Sequence, residues 1–190
     1  MAVTLDILAT YRRPGRVISR ILDRGADHRH AFAFLAVGSV LAFVAQLPRL
    51  TRLARESDPE FEAAIVAEAG EVRQIDSVQV PEAMVDAKFE ALMSGALMGW
   101  IFIMPLILYA LAWLSLLLVR LIKGRMTGAQ ACVVLFWAFL AAIPVFLFQG
   151  LIAGFVGPGA ALNTVSLVWF ALFVWFWFSG IRVAAWEKAA

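Results

Sequence analysis

Few residues of this chain are of a type and spacing that could do chemistry, and they stand at the edges of long apolar runs. Asp27-His28-Arg29-His30 sets two imidazoles beside a carboxylate, and neutral imidazole is a common metal ligand. Residues two apart point to different sides of a helix, and a cation lies between the two histidines. The tetrad therefore reads first as a polar cluster at a membrane boundary and only second as a zinc or copper site. The single cysteine, Cys132, lies inside an apolar run, which leaves no internal disulfide or thiolate cluster and suits a small core residue. Gln149, five residues after Pro144, is the polar side chain best placed to bond a freed carbonyl or a neighbouring helix, with a solute contact as the alternative. Gln46, Ser94, Ser115, Gln130, Thr164 and Ser166 supply further amides and hydroxyls, and Glu90 stands at a run boundary. No ionisable group falls at mid-depth of a run, where pumps and proton relays hold their charge. With no nucleophile–base pair and no phosphate loop either, the sequence predicts no catalytic, cofactor-binding or metal-binding residue and no enzyme.

The elements that must position these groups follow from composition. Hydrophobic residues make up 63% of the 190, charged ones 16%, and the mean hydropathy is +0.84, far from the roughly 45–50% apolar content of soluble domains. The chain reads as an all-α polytopic membrane bundle of a single domain. Four apolar runs are long enough to cross roughly 30 Å of hydrocarbon: 31–47, 91–119, 129–156 and 160–181. The second and third exceed that thickness, and each carries a proline near its middle, so Pro105 and Pro144 are expected to kink them. Dividing one of these runs, which would make five spans, is the weaker alternative. Residues 1–30 form an amino-terminal amphipathic segment, 31–181 the transmembrane domain, and 182–190 a short tail.

Charge sets the orientation. Residues 1–30 hold six arginines and three aspartates, whereas 48–88 hold five basic and nine acidic residues. That asymmetry suits a membrane with two different faces and not nucleic acid. With the amino terminus inside, Arg16, Arg20, Arg24, Arg29, Arg120, Lys123, Arg125, Arg182 and Lys188 fall inside, and Arg49, Arg52, Arg55 and Lys88 outside. The balance predicts both termini in the cytoplasm. The polar loop 48–88 is expected to hold short helices, one from Asp58-Pro59 through Phe61 and Ile65 to Gly70, another from Pro81 through Phe89 into the second span. It reads as a solvated acidic loop, with a docking surface as the alternative.

Val17, Ile18, Ile21 and Leu22 share one face of a helix starting near Pro14, and Arg16, Arg20 and Arg24 form a stripe beside them. This pattern predicts an interfacial helix whose arginines meet lipid headgroups, together with Arg120, Lys123 and Arg125 of the central loop. A helix packed on the ends of the spans is the competing reading. Trp186, between Arg182 and Lys188, is placed as an interfacial anchor. Gly95-x-x-x-Gly99 and Gly150-x-x-x-Gly154 permit close helix approach, expected within the bundle in preference to a homo-oligomer contact.

Several of these patterns occur in one order: Arg13-Pro14-Gly15-Arg16, Leu47-Pro48-Arg49, and Lys123-Gly124-Arg125-Met126-Thr127-Gly128-Ala129-Gln130 leading to Ala142-Ile143-Pro144. Over residues 10–182 the chain resembles the bacterial branch of the Yip family, the Ypt-interacting-protein domain. The resemblance implies about five spans, a bacterial inner-membrane location and no catalytic residue. Eukaryotic members are linked to small GTPases and vesicle traffic, but this chain lacks their acidic cytosolic arm. The expected function is a non-enzymatic scaffold or accessory subunit that binds membrane proteins or organises lipid. The alternative is a passive channel or small-solute or lipid transporter lined by the proline-bearing helices.

Overall fold

A computed structural model describes residues 3–25, 27–56 and 80–187. Among them the fold is all-α: α1 (Val3–Arg12), α2 (Pro14–Asp23), α3 (His28–Arg55), α4 (Val80–Leu97), α5 (Met104–Leu121), α6 (Gly128–Phe155) and α7 (Ala160–Arg182). A π-helical segment, Met98–Ile103, joins α4 to α5, and a second, Val183–Glu187, prolongs α7. Four helices are long and apolar enough to cross a membrane: His28–Arg55, Val85–Leu121, Gly128–Phe155 and Ala160–Glu187. The chain is therefore read as an integral membrane bundle of four spans.

The helix α6 is apolar on every side, and such a helix belongs at a centre. It lies there: 78% of its most apolar stretch is buried, against 22% for the α4–α5 span and 17% for α7. Ala131 through Ile143 are buried without interruption, and α3 and α7 cover most of this surface. Aromatic rings lock the layers together, with Phe34 against Trp137, Tyr109 against Phe136, and Phe146 against both Trp100 and Trp169, all at centroid distances near 5 Å.

Two features differ from the sequence expectation. The first span does not end at Pro48, because α3 runs on to Arg55. Proline removes one backbone donor, yet its ring is accommodated where Gly154 of α6 has no Cβ, since a side chain there would collide with Pro48. The second span carries its irregularity before Pro105 and not at it. In the π segment the Met104 N–H reaches back five residues to the Gly99 carbonyl, and the widened turn admits the ring of Pro105, which enters α5 at its second position. Pro144 lies inside a helix that continues through it. The helix expected from Pro81 into the second span is present from Val80, whereas the one expected from Asp58-Pro59 to Gly70 lies outside the described residues.

Turns are closed by local chemistry. Thr127 and Gln130 form a reciprocal capping box at the start of α6: the Gln130 N–H donates to Thr127 Oγ1 at 3.3 Å and the Thr127 N–H to Gln130 Oε1 at 2.9 Å. After α6, Gly157 adopts φ of +90°, a conformation costly for any residue with a Cβ, and its N–H returns to the Ile152 carbonyl.

Candidate functional site

The polar groups converge at one end of the bundle, where the amino-terminal helices, the 122–127 loop and the end of α7 meet. The Arg125 N–H donates to the Ala185 carbonyl at 3.0 Å, and Gly124 packs beside Ala185. Against this end α1 and α2 fold as a hairpin joined at Arg13.

Its first helix is amphipathic in reverse. Asp6 and Thr10 face inward and are buried, while Val3, Leu5 and Leu8 face outward and are about half to two-thirds exposed. An apolar outer face and a polar inner one suit a helix bordered by lipid on one side and by polar partners on the other. Those partners are specific. Asp6 receives Arg20 Nη1 at 3.1 Å and Arg24 Nη1 at 3.5 Å. Thr10 donates to the Asp6 carbonyl at 2.7 Å and accepts from Trp137 Nε1 at 3.2 Å. Tyr11 donates its hydroxyl to the Ala141 carbonyl at 3.0 Å, and its ring stands edge-on to Phe176. A hairpin that looks external in sequence is thereby bonded to the middle of the central helix.

Helix α2 corrects the interfacial expectation. Val17 and Ile18 are 1% exposed and Ile21 6%, and Ile18 and Gly15 pack on Gly180 and Val183 of the last span. Its apolar face is consumed by the bundle and does not lie in the acyl boundary, because α7 offers a complementary surface of small residues there. Arg20 and Arg24, expected at headgroups, bridge to Asp6 and stay about half exposed. Arg16 stays exposed, as do Arg120, Lys123, Arg125 and Trp186 at the same end.

The remaining sequence candidates separate cleanly. Asp27 caps α3: its Oδ1 accepts the Arg29 and His30 N–H groups and contacts His30 Nδ1 at 2.9 Å. These hydrogen bonds, the His30 ring first and then the His30 amide, hold its carboxyl below the ordinary value of 3.8. The tetrad is therefore used as a helix start. Gln149 donates to Ser166 at 3.0 Å, joining α6 to α7. Gly150 and Gly154 touch the α3 backbone at Ala45 and Pro48, so closely that a Cβ at either would clash. Gly95 and Gly99 have open space in place of a neighbour, which corrects the expectation that they pack within the bundle, since the face of the α4–α5 span bearing them turns outward. The role of α1 was not legible in the spacing alone, although Asp6 and Thr10 at i,i+4, opposite Leu5 and Leu8, mark its two faces.

No family model, curated protein or solved structure matches the chain.

Proposed function

We propose that this chain is a non-enzymatic scaffold or accessory subunit of a bacterial inner membrane, with both termini cytoplasmic, that binds other integral membrane proteins and organises lipid at its basic end. The observation that carries this reading is the lopsided burial of the spans. One helix forms the core, while the α4–α5 span keeps an outward apolar face on which Gly95 and Gly99 lie uncovered. A glycine pair on an open apolar face is where a foreign helix can approach most closely. The relationship to the Yip family belongs to the same proposal and rests on the Lys123–Gln130 loop and Pro144. The passive-channel reading draws no such support, because Gln149 is committed to Ser166, and Phe146, two residues after Pro144, packs against the tilted ring of Trp169.

Affinity purification of the full chain from native membranes in a mild detergent, followed by mass spectrometry, tests the proposal. A co-purifying membrane protein is expected, and a bulky side chain at the open face, Gly99→Leu, should reduce its recovery at least severalfold. A lone monomer, or recovery indifferent to Gly99→Leu, overturns it.

A further inference from the structure

Two hollows adjoin at the end of α7 and share Phe178 and Arg182 as a common wall. The first, about 670 Å³, is lined by Arg13, Arg16 and Arg182 together with Ser179 and Trp175. The second, about 420 Å³, runs between α5 and α7 and is lined almost wholly by apolar side chains, among them Leu114, Leu118, Ile181 and Trp186. Three guanidiniums face the first hollow against one carboxylate, Glu187, whose Oε1 lies 3.3 Å from Arg182 Nε. Among the described residues Arg13 and Arg16 have no side-chain partner, in contrast with Arg20 and Arg24 one and two turns further along the same helix, which Asp6 holds. A hollow with two unpaired guanidiniums, adjoining an apolar one across Phe178 and Arg182, is complementary to an anionic amphiphile whose head and tail fill the two parts. Guanidinium is the side chain best matched to phosphate oxygens, and basic clefts between spans are where phospholipid headgroups settle.

We infer that this end of the protein is a discrete binding site for one anionic phospholipid, its phosphate held by Arg13, Arg16 and Arg182 and an acyl chain lying along Leu114 and Leu118. The inference rests on the lipid half of the function proposed above and narrows it from a general basic surface to one cleft and one lipid class. Arg182 sits on the ridge between the hollows and is the residue that would choose the headgroup's position, while Trp186 closes the apolar part at the interface.

The full chain, purified in detergent and mixed with dioleoyl phosphatidylglycerol or dioleoyl phosphatidylcholine, is read by native mass spectrometry for bound lipid. Phosphatidylglycerol should be retained in preference, as one molecule per chain. Arginines near a membrane surface each contribute about fivefold, so Arg13→Gln with Arg16→Gln should cut the preference by about 25-fold. Both side chains are solvent-facing, so an unchanged melting temperature marks the double variant as folded; Arg55→Gln, at the far end, should leave the preference intact. Leu118→Trp, which fills the apolar hollow, should lower phosphatidylglycerol retention, and glycerol 3-phosphate should fail to displace the lipid at equal concentration. Equal retention of the two lipids, a preference indifferent to the arginine pair, or displacement by glycerol 3-phosphate, which would make the site one for a free anion, each overturns the inference. Partner recovery is a separate readout, so loss of the lipid site and loss of the scaffold function are distinguishable.

Discussion

Four glycines at identical spacing illustrate how little a residue type says by itself. Gly150 and Gly154 lie against the backbone of α3, where a Cβ has nowhere to go, while Gly95 and Gly99 face open space. Gly150→Ala and Gly154→Ala should each destabilise the bundle by about 1–3 kcal/mol, the usual cost of overpacking. Gly95→Ala and Gly99→Ala should be neutral or stabilising by up to about 1 kcal/mol, since alanine is the better helix former. Thermal unfolding in detergent separates the two pairs, and equal effects would contradict the packing. Asp27 offers a pH test at the same scale. Its folded carboxyl titrates below 3.8, so the cap contributes stability that is present above that value and is lost as pH falls through the lower folded value. Wild type and Asp27→Asn should therefore differ in melting temperature at neutral pH and converge only as the pH falls below 3.8 and through the lowered folded value. A difference that persists under acid would assign the effect to something other than the charge.

Helix α1 is held by side chains that reach the core and not by its own propensity, as expected of an element of three turns. The Asp6 bridges, the Thr10–Trp137 bond and the Tyr11–Ala141 bond act together. Both arginines are about half exposed, so their attraction to Asp6 is screened, and the greater effect of Asp6→Asn comes from unpinning the hairpin. Asp6→Asn combined with Tyr11→Phe should loosen α1 at a cost of about 2–3 kcal/mol, taking about 1 kcal/mol per hydrogen bond. Hydrogen exchange of the α1 amides is the direct measure: faster exchange confined to residues 3–12 is expected, and unchanged protection would show that the outer apolar face alone holds the helix. The π segment before Pro105 belongs to this scale too, because the proline expected to kink the helix is preceded by one widened turn. Sequence spacing located the irregularity within a few residues but not its form, since a kink and a π turn both relieve the same missing donor.

At the scale of the whole molecule, the amino-terminal hairpin packs on the end of the last span, to which the Arg125 loop is bonded, so the three share one side of any membrane the four spans cross. That side carries Arg12, Arg13, Arg16, Arg120, Lys123, Arg125 and Arg182, the enrichment found on cytoplasmic faces. Cytoplasm-active reporters fused at Ala190 and inserted at Lys123 should both be active, and one inserted in the 57–79 segment should not. Opposite results at Ala190 and Lys123 would be incompatible with four spans.

Membrane residence, the all-α class, the four spans and the basic character of one end were determined by the sequence itself. They depend on local composition: lipid leaves helices as the only open solution for a run of some twenty apolar residues, and charge excess is a sum over neighbours in the chain. Which span forms the core was not determined there. The α4–α5 span and α6 have nearly equal hydropathy, 2.4 and 2.6, yet one is mostly exposed and the other mostly buried. In lipid an apolar side chain gains little by moving from acyl chains to protein, so hydropathy carries no preference between the two, and shape and hydrogen bonding decide. Only the tertiary structure could place Gly150 and Gly154 against α3, turn Asp6 toward Arg20 and Arg24, and gather Arg13, Arg16 and Arg182 around one cleft, because each of those groupings joins residues from different elements.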